Sequence, residues 1–143
     1  MTELVTTHLA DTGVLTVSLN RPEVLNSLNR PIVERLIEVM TDADKNDAVR
    51  SIILTGEGRG FCAGADLANG QWPSNEGWSG GDVTANAMEV GYNPLVRAIA
   101  FNSKPVVTAV NGVAAGGGVG IALAGDIVIA GESAKFKLVF ARQ

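Results

Sequence analysis

Cysteine and histidine are nearly absent from the sequence, and this restricts the chemistry that it can support. The single cysteine, Cys62, excludes an internal disulfide and is typical of a reducing compartment. The single histidine, His8, falls in a predicted edge hairpin, where a structural role is expected. No set of His, Cys, Asp and Glu has the spacing of metal ligands, so no metal site is predicted.

An excess of basic residues and a leader segment are lacking as well. Lys and Arg number 11 against 15 Asp and Glu, and the formal net charge of −4 offers no basic surface for nucleic acid. No positively charged stretch followed by an apolar one opens the sequence, so no secretory signal is predicted. Together with the lone cysteine, this favours a cytoplasmic protein without a nucleic-acid partner.

Residues 106–125 carry no charge and resemble a membrane span in length. Gly112, Gly116 and Gly120 also have the four-residue spacing of helix-dimer motifs. However, Asn111-Gly112 is a strong turn signal, and each glycine would weaken a continuous helix by about 1 kcal/mol. We therefore predict a strand, a tight loop and a helix in this segment, and no membrane association.

Elsewhere, apolar periodicity predicts strands that alternate with helices. A hydrophobic content of 46% with 18% charged residues is typical of a globular protein. Asn29 is a predicted helix cap, and Pro31 fits the first turn of the helix that follows. This helix carries a predicted apolar stripe of Ile32, Val33, Leu36, Ile37 and Met40. The alternation predicts a single α/β domain over residues 1–143 with a buried sheet. Predicted strands cover residues 5–10, 14–19, 51–55, 106–109 and 126–130, a mobile surface loop covers residues 69–82, and a helix disturbed at Asn93-Pro94 covers residues 84–101.

Two glycine-bearing loops each follow a predicted buried strand. They are Phe61-Cys62-Ala63-Gly64-Ala65-Asp66-Leu67 and the segment from Val110 to Gly120, which contains three consecutive glycines. Where side chains are missing, another molecule can approach the main chain, and amides at a helix start carry partial positive charge. Such loops can hold an anion, or an oxygen that becomes anionic during a reaction. Close packing of a helix on a sheet is the structural alternative for the triple glycine.

Four blocks of the sequence match a known pattern when they are taken together. The blocks are Asn20-Arg21-Pro22 with residues 24–28, residues 60–67, residues 104–118 and residues 125–130. In this order and spacing they resemble the enoyl-CoA hydratase/isomerase (crotonase) superfamily over nearly the whole chain. The resemblance implies a spiral of ββα units, of which this chain is the N-terminal part, truncated before the C-terminal helices. It also implies a homotrimer or dimer of trimers for the full-length protein.

The resemblance implies a substrate and a set of site residues. The amides of Ala65 and Gly117 are expected to hold the thioester oxygen of an acyl-CoA while its α-carbon gains or loses a proton. Asp66, Leu67 and Ala68 are expected along the CoA arm, and Leu25 and Ala63 near its nucleotide end. The CoA thioester is the substrate, and no separate cofactor is implied.

Several side chains in these blocks also have ordinary structural explanations. Asp66 is equally suited to cap the turn that follows it, and Asp126 at a strand start suits a structural hydrogen bond. Cys62 has no histidine nearby to activate it and is predicted to be a buried packing residue. Trp72 and Trp78 are predicted either to cover the substrate or to anchor the surface loop.

The sequence departs from the hydratase pattern at two positions. Hydratases of the family carry one glutamate in the helix after the triple glycine and a second further along the chain, whereas Gly120 and Phe140 occupy these positions here. Residues 134–136 and 140–142 are closer to isomerase-like relatives, which include the phenylacetate-pathway ring-epoxide isomerases. These relatives take an acid/base carboxylate from the following segment, so we predict an Asp or Glu shortly after Gln143.

Two functions follow as hypotheses. The first is an acyl-CoA enzyme of the hydratase/isomerase type, more isomerase-like than hydratase-like. The second is a non-catalytic acyl-CoA-binding or assembly protein of the same fold, which Gly120 and Phe140 would also suit.

Overall fold

The computed structural model describes residues 2–140, which form two β-sheets flanked by helices. The strands are β1 (Val5–Leu9), β2 (Val14–Leu19), β3 (Ser51–Gly56), β4 (Gly60–Cys62), β5 (Val106–Val110), β6 (Val113–Ala115), β7 (Ile127–Ala130) and β8 (Lys135–Lys137). The helices are α1 (Arg30–Lys45), α2 (Gly80–Ala87), α3 (Asn93–Ala100) and α4 (Gly117–Ala124). A 3-10 turn spans Pro22–Val24, and a π-helical turn, Met88–Tyr92, joins α2 to α3.

The two sheets are built from successive strand pairs. The larger sheet has the order β1-β2-β3-β5-β7, in which β1 is antiparallel to β2 and the other pairs are parallel. The smaller sheet has the order β4-β6-β8 and is parallel throughout. From β3 onward, consecutive strands form three pairs, β3 with β4, β5 with β6 and β7 with β8. The first strand of each pair belongs to the larger sheet and the second to the smaller one. Helices follow the first two pairs. This confirms the α/β fold with repeated ββα units.

The core lies between the larger sheet and helices α1 and α3. The predicted apolar stripe of α1 is buried at Ile32, Leu36 and Met40, where it meets Leu95 and Ile99 from α3. Burial of each such side chain contributes about 1.5–3 kcal/mol relative to exposure. The predicted cap is confirmed, because the Asn29 side chain accepts a hydrogen bond from Ile32 N at 3.2 Å.

The predicted helix over residues 84–101 begins earlier than expected, so the loop prediction over residues 69–82 was wrong at its end. Ser79 accepts a hydrogen bond from Asp82 N at 3.2 Å, and Asp82 accepts one from Ser79 N at 2.7 Å. This capping box starts α2 at Gly80. The disturbance predicted at Asn93-Pro94 is the π-helical turn that directly precedes these residues. Its wider spacing of hydrogen bonds accommodates Pro94, which has no N–H to donate.

Residues 106–125 form β5, β6 and α4, which confirms the predicted strand and helix. The tight loop predicted between them was wrong in part, because its residues 113–115 form the short strand β6 beside β4. Within residues 2–140, no helix combines the length and the apolar character that a membrane crossing requires. Asp126 precedes β7 and has the predicted structural role, since its carboxylate accepts a hydrogen bond from Val106 N at 2.8 Å. Strands β7 and β8 are the last strands of their sheets within residues 2–140, and all of their residues are exposed.

Candidate active site

The two glycine-bearing loops meet at one edge of the smaller sheet. Strands β4 and β6 are parallel neighbours, so the loops that follow them leave the same edge. Gly64 adopts φ +93°, which favours glycine, and a Cβ atom there would lie 2.6 Å from Ala115 O and 3.4 Å from Gly117 N. Gly64 therefore brings the residue that follows it, Ala65, close to the start of α4.

The N–H of Ala65 points away from its neighbouring strand segment. Leu28 N donates to Gly64 O at 2.7 Å, and Asp66 N donates to Leu28 O at 2.9 Å, which makes Leu28 and Ala65 a parallel bridge. In such a bridge Ala65, which lies between the two residues that bond to Leu28, directs its own N–H away from Leu28. Within residues 2–140, no main-chain carbonyl accepts a hydrogen bond from Ala65 N.

The three consecutive glycines have three different structural roles. Gly116 adopts φ +52° immediately before α4, a conformation that side chains disfavour. Gly117 is the first residue of α4 and has open space at its Cβ position, and its N–H is one of the donors that a helix start leaves unpaired. Gly118 packs against β4, where a Cβ atom would overlap the carbonyl of Cys62. Of the three, the close-packing explanation therefore applies to Gly118.

A cavity of about 490 Å³ lies between these loops and the helical segment from α2 to α3. Ala65 and Gly117 both line it. Most of the other described lining residues are apolar, and none of them is a carboxylate: Thr84, Met88, Tyr92, Asn93, Leu95, Val96, Gly116, Val119, Gly120, Ile121, Leu123, Leu138 and Phe140. Gly120 and Phe140, the two positions where the resemblance to hydratases leads one to expect glutamates, both line this cavity.

A second cavity of about 300 Å³ adjoins the first and shares Ala65, Thr84 and Tyr92 with it. Two residues predicted along the CoA arm, Asp66 and Leu67, line this second cavity. Leu67 is 97% exposed.

The other three residues predicted to contact CoA line neither cavity. Leu25 and Ala63 lie together at the base of the Ala65 loop, where Ala63 N donates to Leu25 O at 2.9 Å. Ala68 lies in the turn after Asp66 and donates its N–H to that carboxylate at 3.2 Å.

Asp66 caps the turn that follows it, as predicted, and also forms an ion pair. Its Oδ1 accepts hydrogen bonds from Ala68 N at 3.2 Å and Asn69 N at 2.9 Å, and its Oδ2 accepts one from Arg21 at 3.0 Å. The hydrogen bond from Asn69, aided by those from Arg21 and Ala68, lowers the pKa of Asp66, while partial burial opposes this shift. The carboxylate is therefore negatively charged at neutral pH and is engaged on both oxygens.

Tyr92 is a residue of the cavity wall that the sequence analysis missed. Its hydroxyl donates to Leu28 O at 3.3 Å, its ring lies 5.3 Å from that of Trp72, and burial raises its pKa. Pro94 was the available signal, because a proline inside a helical segment indicates an irregular turn. Irregular turns of the π type frequently occur at functional sites. Cys62 is fully buried and burial raises its pKa to about 12, which confirms its packing role.

The two tryptophans have different surroundings. Trp72 packs across Gly91, where a Cβ atom would overlap the indole, and it lines the second cavity. Trp72 is therefore both an anchor for the loop and part of a cavity wall. Trp78 is partly exposed and lies outside both cavities. No cluster of three or more His, Cys, Asp or Glu that could hold a metal ion occurs within the described part of the chain.

Comparison with known proteins agrees with this fold. The chain is 45% identical over 148 residues to the 1,2-epoxyphenylacetyl-CoA isomerase of Escherichia coli K12, covering 99% of this chain and 53% of that protein. The crystal structure of an enoyl-CoA hydratase from Bacillus anthracis matches with a TM-score of 0.81 and 32% identity, over 94% of this chain and 50% of the other. A monofunctional enoyl-CoA isomerase from M. smegmatis matches with a TM-score of 0.74 and 34% identity, over 94% and 53%.

The chain spans about half the length of the curated relatives that it matches. Both hydratases and isomerases occur among these relatives. The sequence profile of the enoyl-CoA hydratase/isomerase family matches residues 10–143. The chain therefore belongs to the enoyl-CoA hydratase/isomerase family.

Proposed function

We propose that the protein binds an acyl-CoA thioester with its carbonyl oxygen between the amides of Ala65 and Gly117. The proposal is supported by one observation above all: Ala65 and Gly117, from separate loops, line one cavity, and neither N–H has a main-chain acceptor in residues 2–140. Asp66, Leu67 and Ala68 then lie beside the CoA arm, with Leu25 and Ala63 further along it.

These two donors are suited to stabilise an enolate. When a proton leaves the α-carbon, the electron pair of the broken C–H bond forms the enolate and negative charge moves to the thioester oxygen. Fixed main-chain donors in an apolar cavity stabilise that charge, and removal of one such donor typically costs about 3–4 kcal/mol of transition-state stabilisation. Gly117 contributes further because it lies at the positive end of the α4 dipole.

We propose an isomerase rather than a two-carboxylate hydratase. Gly120 and Phe140 line the cavity, and among the described lining residues no carboxylate is available to activate water. In an isomerisation, the proton taken from one carbon returns to another, so the double bond shifts and nothing is added. The carboxylate that carries the proton is predicted shortly after Gln143. Rearrangement of a ring is the other isomerisation that we propose, since it likewise adds nothing to the substrate, and the isomerase named among the relatives acts on an epoxide, 1,2-epoxyphenylacetyl-CoA.

The test exchanges Gly117 in the intact protein. Gly117→Pro removes the N–H at the first helical position, where proline is well tolerated, whereas Gly117→Ala retains the N–H and has open space for its methyl group. With an unsaturated acyl-CoA followed by its ultraviolet absorbance, we expect kcat to fall about 100- to 1,000-fold in Gly117→Pro. Gly117→Ala should stay within a few-fold of the wild-type protein.

Two results would contradict the proposal. Equal activity of Gly117→Pro and wild type would show that this amide does not act on the thioester. Binding of several acyl-CoAs without any product would favour the second candidate, a non-catalytic acyl-CoA-binding or assembly protein. The absence of a carboxylate from the described cavity lining is the observation that supports this alternative.

A further inference from the structure

The Arg21 side chain connects both sides of the bridge that carries the Ala65 amide. Its Nη1 donates to Ser27 O at 2.7 Å, and its Nη2 donates to Asp66 Oδ2 at 3.0 Å. Ser27 directly precedes Leu28, and Asp66 directly follows Ala65, so the guanidinium holds the neighbours of both bridge partners. The Arg21 and Asp66 side chains are only 13% and 9% exposed, which shields this ion pair from solvent.

The main chain of Arg21 is also fixed by hydrogen bonds. Arg21 N donates to Asn26 Oδ1 at 2.8 Å, and Asn26 N donates to Arg21 O at 2.9 Å. The buried Asn26 amide in turn donates to Glu57 O at 3.0 Å and Gly60 O at 2.9 Å. The guanidinium therefore extends from a segment that is fixed to the turn between β3 and β4.

Asp66 connects Arg21 to the loop that contains Ala65. One carboxylate oxygen binds Arg21, while the other binds the amides of Ala68 and Asn69. The remaining ion pairs within residues 2–140, Arg30 with Glu34 and Arg35 with Glu38, lie on the exposed face of α1. The Arg21–Asp66 pair is thus the one that lies beside the candidate site.

We propose that Arg21 is a positioning residue, which fixes the direction of the Ala65 N–H through Asp66 and Ser27. This inference rests on the proposed function, because a fixed direction matters only if the amide binds the thioester oxygen. A planar guanidinium can hold both acceptors at once, whereas a lysine ammonium provides a single point of charge. Without Arg21, the loop around Ala65 can rotate, and a small misplacement of a catalytic donor can cost 100-fold in rate.

The experiment compares Arg21→Gln, Arg21→Lys and the control Arg30→Gln in the intact protein. We expect kcat to fall about 10- to 100-fold in Arg21→Gln with little change in KM, and partly to recover in Arg21→Lys. Arg30→Gln breaks an exposed ion pair and should leave kcat unchanged.

A spectroscopic measurement separates positioning from a general loss of stability. Infrared difference spectra of a bound unsaturated acyl-CoA should show the thioester carbonyl stretch at lower frequency than in solution for the wild type. In Arg21→Gln the stretch should move back toward the solution value, measured at a temperature where the variant is fully folded. If Arg21→Gln does not fold, Asp66→Asn removes the same contact and should move the stretch in the same direction.

The outcomes distinguish this inference from the proposed function. A wild-type protein that leaves the carbonyl stretch at its solution value contradicts the proposed function, and the inference with it. A wild type that lowers the stretch, together with Arg21 and Asp66 variants that retain both the lowered stretch and kcat, overturns the inference alone.

Discussion

At the scale of single residues, the loop that contains Ala65 depends on the charge of Asp66. Its carboxylate accepts hydrogen bonds from Arg21, Ala68 and Asn69, and these lower its pKa. A carboxyl group with a lowered native pKa stabilises the folded state at pH values above its unfolded-state pKa. This contribution is lost as the pH falls through the native pKa.

The first prediction at this scale concerns acid. At pH 7, Asp66→Asn should lower the free energy of unfolding by about 1–3 kcal/mol, because an amide placed beside Arg21 leaves a buried donor unpaired. The difference from wild type should shrink below about pH 4, as the wild-type carboxylate also becomes protonated. Urea denaturation from pH 7 to pH 3 measures both effects.

The control for this measurement is Glu34→Gln, which removes the same charge from an exposed ion pair on α1. It should change stability by less than about 1 kcal/mol. A gap between wild type and Asp66→Asn that stays constant with pH would show that charge is not the cause.

Residues with local partners were the ones that sequence could predict. Asn29 caps its own helix and Asp66 caps its own turn, so the signal lies within a few residues. The pairing of Arg21 with Asp66 joins residues 45 positions apart, and no local pattern reveals such a contact. Tyr92 lines the cavity from the end of a π-helical turn, where the 3.6-residue period of a regular α-helix does not apply.

At the scale of elements, α4 has one face against β4 and another toward the cavity. Gly118 lies on the first face, where a methyl group would overlap the Cys62 carbonyl, and Gly120 lies on the second, with open space at its Cβ position. Gly118→Ala should therefore destabilise the protein by about 1–3 kcal/mol through overpacking. Gly120→Ala should stabilise it by about 0.4–1 kcal/mol, because alanine restricts the unfolded chain.

Urea denaturation of both variants measures this contrast within one helix. Equal stability of the two variants would contradict the close packing of α4 on β4.

Long elements were easier to predict than short ones. The periodic stripe of α1 and the apolar runs of β3 and β5 predicted the correct elements, and both strands extend only slightly beyond their predicted ends. Strands β4 and β6 have three residues each, which is too short for alternation to be detected, and they lie inside segments predicted as loops. The smaller sheet was therefore implied only by the family resemblance.

At the scale of the whole molecule, both sheets end in exposed strands. Ile127 and Ile129 on β7 are 56% and 60% exposed, and the outer edge of β7 has no partner strand within residues 2–140. Open apolar edges favour pairing with other chains. The homotrimer or dimer of trimers implied by the family stays a prediction.

The prediction at this scale is that residues 1–143, expressed alone, self-associate through β7. The double substitution Ile127→Lys with Ile129→Lys should shift the sedimentation velocity profile toward monomer, because lysines block edge pairing. Phe101→Lys, which changes another exposed apolar residue away from both sheet edges, should leave the oligomers unchanged. Identical profiles for the edge variant and its parent would exclude β7 as the contact.

The positive φ of Gly64 and the close fit of Gly118 fix a path for the polypeptide rather than a particular functional group. Every amino acid except proline supplies the same N–H, so positions 65 and 117 can vary in identity while their hydrogen-bonding capacity persists. In the proposed function, cavity-wall residues such as Met88, Val96 and Leu123 can then be exchanged to accommodate different acyl chains while the two amides are retained. In such a scaffold, substitutions in the cavity wall can change the substrate preference while the main-chain conformation at Gly64 and Gly118 is preserved.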